Sequence, residues 1–252
     1  MLLAIDVGNT NVVFALFNNE KLLGTWRCET KKKKTADEYA VWLMQIFQIH
    51  NINTQDISGI IISNVVPETS LALQILSEKY FKKKPIIVGD QNLKYNIKLF
   101  PELGADLVAN AVAGYHIYHD NLIIIDFGTA TTTSIIHKEG VYIGGQIAPG
   151  IHLSRQALTQ AASQLPTINI KKPKTIVCKD TTEAMQSGLY WGYVGLVEKL
   201  IEQTKKEQKR DYKVIATGGL ASLIADDTSD IDIVDDDLLF KGLRILYQIQ
   251  SK

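Results

Sequence analysis

Short apolar runs alternate with longer stretches of helical spacing along this chain. Runs rich in β-branched and aliphatic residues occur at Leu2–Ile5, Val12–Phe17, Gly59–Ser63, Pro85–Val88, Leu122–Ile125, Thr131–Ile136, Val141–Gly144 and Lys213–Ala216. Each is short and bounded by turn-forming residues, which predicts strands. The intervening stretches predict helices at Thr35–Gln48, Pro67–Tyr80, Ala105–Tyr118, Ile151–Ser163, Thr182–Lys209 and Asp236–Gln250. In the first of these Tyr39, Leu43, Ile46 and Phe47 fall on one face, and Thr35 or Asp37 can cap the start. Strands interleaved with helices make an α/β protein.

The pattern also repeats. LLAIDVGNTNVVFALF near the start and LIIIDFGTATTTSII near the middle share an apolar strand, Asp-x-Gly, a small polar residue and a second apolar strand. Asp126 stands 120 positions after Asp6, close to half the chain. This predicts two similar halves, about 1–117 and 118–252, with a ligand cleft between them.

Composition narrows the function. With 46% hydrophobic and 21% charged residues, the chain of 252 has the makings of a packed core. Lys plus Arg is 27 and Asp plus Glu is 27, and this balance argues against nucleic acid or an anionic membrane as a partner. The N-terminus lacks the pattern of a signal peptide, no apolar run reaches membrane-spanning length, and the two cysteines suit a reducing compartment. A cytoplasmic protein is the expectation. Lys31–Lys34 and Lys82–Lys84 read as solvated basic runs. Residues 226–237 hold seven aspartates without the Gly and Glu of a calcium loop, so a solvated acidic edge is expected there.

The candidate chemistry sits in the repeated turns. Asp6 is delivered to a strand end, Gly8 permits a tight turn, and Asn9 and Thr10 add polar groups at the same point. Backbone N–H groups converging in such a turn can cradle phosphate. A carboxylate beside phosphate implies a bridging cation, which makes Asp6 a candidate Mg²⁺ partner, directly or through water. The plainer alternative is an Asp-Gly hairpin. A second copy, Asp126-Phe127-Gly128-Thr129, favours the phosphate reading, with Thr131, Thr132 and Thr133 adding hydroxyls. A third glycine site, Thr217-Gly218-Gly219, reads as a nucleoside-facing turn or an ordinary strand-to-helix turn. Neither a P-loop nor a dinucleotide fingerprint is present. His116 and His119 share a helix face without a third ligand nearby and read as packing or surface residues.

In order, D-x-G-N-T, G-A-D, D-F-G-T-A-T-T, G-G-x-I-x-P-G and T-G-G resemble type III pantothenate kinase, of the superfamily of actin, sugar kinases and heat-shock ATPases. The resemblance runs from Asp6 to about Leu246 and includes Gly144–Gly150, Leu165-Pro166 and Thr181–Gly188. It implies a duplicated ribonuclease-H-like fold, ATP and pantothenate as substrates, and γ-phosphoryl transfer to the primary hydroxyl of pantothenate. It further implies a cytoplasmic homodimer with an adenosine site and the dimer interface in the second half. Residue by residue, Asp6, Val7, Gly8, Asn9, Thr10, Asn11, Val12 and Val13 resemble the ATP phosphate loop, and Thr129 an ATP contact. Asp106 resembles the catalytic base, and Asp126 the ligand of an activating K⁺ or NH₄⁺. Tyr95, Gly104, Ala105 and Asp106 resemble substrate contacts. So does Thr181, or Thr182 beside it, reaching across the dimer. From the residues alone, a helix N-cap is the favoured reading of Asp106, and the resemblance reverses that preference.

One position departs from the pattern. The family usually has Arg after G-A-D, and this chain has Leu107. The loss removes a fixed charge and a multi-donor fork for pantothenate. Either Arg155 or a lysine takes its place, or the substrate binds weakly or differs, or the chain is a nucleotide-binding regulator with weak or no kinase activity. Another small-molecule kinase or phosphatase of the superfamily is the third reading.

Overall fold

A computed structural model of the protein describes residues 1–162 and 164–251. The expected α/β architecture is present as two five-stranded sheets of one topology. In the first, β1 (Leu2–Val7), β2 (Asn11–Asn18) and β3 (Lys21–Glu29) run as an antiparallel meander. Strands β4 (Gly59–Asn64) and β5 (Ile86–Ile87) extend it in parallel, in the order β3-β2-β1-β4-β5. In the second, β6 (Leu122–Phe127), β7 (Ala130–His137) and β8 (Val141–Pro149) form the meander, extended by β9 (Lys213–Thr217) and β10 (Ile233–Val234) in the equivalent order.

The duplication reaches individual residues. Strands β1 and β6 share one burial sequence, four buried residues followed by a half-buried Asp and a buried residue. Asp6 pairs with Val13 on β2 and Ser63 on β4; Asp126 pairs with Thr132 on β7 and Thr217 on β9. The meanders even bulge at matching points, after Leu16 in β2 and after Ile135 in β7, opposite Gly24 and Gly144. This is the duplicated ribonuclease-H-like fold that the sequence led us to expect.

Helices cover the sheets. The first unit carries α1 (Ala36–Ile49) and α2 (Ser70–Ile75), and α3 (Ala105–Tyr118) follows the loop after β5. The second carries α4 (Ile151–Ala161), α5 (Thr181–Gln208) and the short α6 (Ala221–Ala225). Thr35 caps α1 through a reciprocal box with Glu38, and Tyr39, Ala40, Leu43 and Phe47 are buried against Leu3, Ile5, Phe14 and Leu16 of the sheet. The stretch expected as one helix over Pro67–Tyr80 is instead a 3₁₀ turn (Pro67–Thr69), α2 and a π turn (Leu76–Tyr80). Ser77 Oγ donates to the Leu73 carbonyl at that transition, a local bond that competes with helical pairing. Ser163, expected to end α4, lies outside the described residues.

Two compact units result, Met1–Ala113 with the segment from Leu238, and Gly114–Asp237. The sequence repeat placed the divide at 117/118 and left 238–252 with the second half. The difference has a packing cause. Helix α7 (Leu238–Gln250) buries Leu238, Gly242, Leu243 and Leu246 and lies on β1 and β4. Two glycines permit the approach: a Cβ on Gly242 would stand 2.0 Å from the Ala109 carbonyl oxygen, and one on Gly59 2.0 Å from the Tyr247 hydroxyl.

Strand β3 was missed because it is an edge strand whose residues alternate between exposed and half-buried, with Gly24 in the middle. Pairing with β2 through a turn holding Asn19 at φ 52° makes it a strand. No helix among the described residues is long and apolar enough to cross a membrane.

Candidate active site

The first unit brings Asp6, Ser63 and the Gly8 turn together. Parallel pairing sets Ser63 beside Asp6, and Ser63 Oγ, fully buried, donates to Asp6 Oδ1 at 2.8 Å. A half-buried carboxylate is thereby held at the end of β1, just before the turn. Gly8 N–H donates to the Asn11 carbonyl at 3.0 Å and closes that turn. From the end of β3, Thr30 Oγ1 donates to the Gly8 carbonyl at 2.7 Å, and Thr30 N–H donates to the Thr10 carbonyl at 3.0 Å. Asn9 and Thr10 remain exposed, Val7 and Val12 are buried as the anchors of the hairpin, and Asn11 and Val13 are half-buried.

Sequence reasoning did not single out Ser63 or Thr30. Their signal exists only through strand register. The same register puts Arg27, exposed on β3, opposite Val13 in the rung that holds Asp6, so a cation stands on the Asp6 face of the sheet.

The second unit repeats the arrangement with different closures. Gly150 N–H donates to the Thr129 carbonyl at 3.2 Å, the counterpart of the Thr30 bond to Thr10. A Cβ at Gly150 would lie 2.4 Å from the Thr129 oxygen and 2.6 Å from the Gly128 oxygen. The third glycine site closes on the same carboxylate. Gly218, at φ 90°, lies so near that a Cβ there would stand 2.7 Å from Asp126 Oδ1 and 2.8 Å from the Phe127 nitrogen. Glycine backbone thus closes on Asp126 from two sides, since a Cβ at Gly128 would come within 3.6 Å of the same oxygen. A half-buried carboxylate is one of the oxygen donors that a small cation takes.

Of the threonines expected near this turn, Thr129 is exposed and Thr132 shares the rung of Asp126. Thr131 and Thr133 are buried, and their hydroxyls bond to Tyr193 and Gln146. They serve packing. Burial holds the Tyr193 phenol well above its ordinary pKa, and the negative charge of Asp126 adds to the shift. Among the described residues no group of three or more His, Cys, Asp or Glu could hold a metal by itself. A cation here would share its coordination with backbone, hydroxyls, water or phosphate.

Asp106 lies in the first turn of α3, one residue inside its start. It is not the N-cap: the Gly104 carbonyl already accepts from Val108 N–H at 2.9 Å, and Asp106 Oδ1 accepts from Leu107 N–H at 2.8 Å. Burial raises its pKa above the usual aspartate value, against the opposing effect of these backbone N–H groups. A Cβ at Gly104 would meet Asp106 Oδ1 at 2.7 Å and would push the carboxyl aside. Ala105 is buried and Leu107 half-buried. Tyr95 sits in the loop between β5 and α3, half-buried, its hydroxyl accepting from Gly89 N–H at 3.1 Å.

Thr181 and Thr182 are exposed in the first turn of α5, which Asp180 caps through Glu183 N–H at 3.0 Å. Arg155, considered as a stand-in for the missing arginine, donates to the Ile168 carbonyl at 3.0 Å.

A family model described as type III pantothenate kinase matches residues 2–203. A type III pantothenate kinase from Geotalea uraniireducens (strain Rf4) is 48% identical over 252 residues, covering 98% of this chain and 98% of that protein. Another from Paramagnetospirillum magneticum (strain ATCC 700264 / AMB-1) is 46% identical over 255 residues, covering 100% and 98%. Among solved structures, a conserved Baf family protein from Campylobacter jejuni superimposes with a TM-score of 0.62 at 20% identity, over 99% of this chain and 98% of that one, a likeness of fold.

Proposed function

The chain belongs to the type III pantothenate kinase family, and from that premise we propose how its residues divide the reaction. The protein transfers the γ-phosphoryl group of ATP to pantothenate, giving 4'-phosphopantothenate on the route to coenzyme A. Such a transfer uses a divalent cation such as Mg²⁺, which neutralises charge on the phosphates.

In this reading Asp106 is the general base. It accepts the proton of the primary hydroxyl of pantothenate while the oxygen attacks the γ-phosphorus and ADP departs. The observation that carries the assignment is a half-buried carboxyl whose proton affinity burial raises, at the start of a helix behind Gly104. The hairpin Asp6–Val13 holds the ATP phosphates, Asp6 standing toward the divalent cation. Thr129 contacts ATP, and Asp126 holds an activating monovalent cation. The half-buried Asp126 carboxylate and the lack of lysine in either Asp-x-Gly loop support that last role. Tyr95, Gly104, Ala105 and Leu107 line the pantothenate side. Leu107 offers contact but no charge; Arg27 on the Asp6 face is a candidate source of a guanidinium, whereas Arg155 is tied to Ile168.

The active species is a homodimer in this reading, with Thr181 reaching the partner's site. Support comes from the second unit. Ile176 and Val177 are exposed, Ser187 Oγ ties the Ile176 carbonyl to α5 at 2.8 Å, and Gly188, Gly192 and Gly195 face open space. Ile147 is also exposed. Apolar surface of this kind commonly meets a partner.

The deciding experiment incubates purified protein with Mg·ATP, pantothenate and K⁺ and follows product by mass. Phosphorylated pantothenate is expected. ATP binding without product would point to the regulator that Leu107 alone favours.

A further inference from the structure

The turn of the first hairpin is gripped from outside by one residue, and we propose that this residue, Thr30, is a positioning residue for the phosphates of ATP. The inference rests on the reading of Asp6–Val13 as the phosphate loop. Thr30 makes two bonds to the turn, hydroxyl to the Gly8 carbonyl at 2.7 Å and N–H to the Thr10 carbonyl at 3.0 Å. A carbonyl oxygen carries partial negative charge and repels an anion. Thr30 keeps the two carbonyls on either side of Asn9 engaged toward β3, while Asn9 and Thr10 stay exposed. A turn set in this shape before ATP arrives loses little freedom when ATP binds.

Comparison of the two halves shows that this device is specific to the first. At the matching place in the second hairpin stands the backbone bond from Gly150 N–H to Thr129, and there is no room for a hydroxyl-bearing side chain at position 150. There the turn is held by close backbone packing. In the first half it depends on a hydroxyl that substitution can remove without changing shape.

The test measures the dissociation constant of Mg·ATP, KM for each substrate and the ligand-free melting temperature for Thr30→Val, Thr30→Ser and Asp6→Asn in the full-length protein. Thr30→Val should weaken Mg·ATP binding and raise KM for ATP about five- to tenfold. KM for pantothenate and the melting temperature should stay near the unmodified values. Thr30→Ser, which keeps the hydroxyl, should bind ATP within about twofold of the unmodified protein. Unchanged ATP binding in Thr30→Val with weakened binding in Asp6→Asn overturns the positioning role and spares the phosphate loop. Unchanged binding in both overturns the two together. Equal losses for ATP and pantothenate with a lowered melting temperature, not restored by serine, would make Thr30 a structural residue only and overturn the inference.

Discussion

On the proposed reading Asp106 is the general base, and one side chain then carries both the chemistry and some of its cost. A buried carboxyl that resists ionisation is a better proton acceptor when it is ionised, and it must be ionised to act. Asp106→Asn should reduce turnover roughly 10²–10⁴-fold while ATP binding persists, measured by initial rates and ATP titration. Because burial raises its pKa in the folded state, the native protein holds that proton more tightly than the unfolded chain. The ionised form therefore opposes folding at neutral pH, and the opposition fades as pH falls through the raised folded value and is gone below the unfolded one. Asp106→Asn should melt above the unmodified protein at neutral pH, with the gain vanishing below about pH 4. A melting difference independent of pH would contradict this account. Activity of the unmodified protein should fall on the acid side at a higher pH than an ordinary aspartate would set.

Elements decide where these residues stand. The Asp-x-Gly hairpins are duplicated to the level of register and bulge, yet each is closed in its own way, by Thr30 in one and by Gly150 and Gly218 in the other. Gly218 has two reasons to lack a side chain: its φ of 90° and the nearness of Asp126 Oδ1 at 2.7 Å from a would-be Cβ. Gly218→Ala should cost about 2–3 kcal/mol in urea unfolding, from left-handed strain plus overpacking, and should also displace Asp126. Loss of monovalent-cation response in the same variant would tie the element to the ion. The helices show how far pattern reading carries. The Tyr39–Phe47 face of α1 and the span of α3 follow from apolar spacing, whereas the break of Pro67–Tyr80 into three turn types depends on a side-chain bond the spacing does not show.

At the scale of the whole molecule, the C-terminal helix returns to the first unit and seals it. Gly242→Ala should destabilise that unit by about 2–4 kcal/mol, since backbone at Ala109 stands where the methyl would go. Two further expectations concern assembly and ions. Activity should rise when K⁺ or NH₄⁺ replaces Na⁺, and equal rates in the three salts would remove Asp126 from cation binding. Light scattering on active protein should give twice the chain mass; a fully active single chain would remove the shared Thr181 contact.

The sequence by itself determined the α/β alternation, the duplication anchored on Asp6 and Asp126, and the order of motifs that marks the family. These are local or periodic properties, written in runs of apolar residues and in glycine turns, and they survive without knowledge of distant contacts. Tertiary structure alone decided the rest. Ser63 stands 57 positions from Asp6, Thr30 22 positions from Gly8, and Gly218 meets Asp126 only because β9 lies beside β6. Edge strand β3 acquires its identity from β2, and α7 acquires its unit from β1 and β4. Apart from β3, whose partner adjoins it along the chain, the deciding partner is remote, so the interaction exists only once strand pairing and helix return have brought the segments together.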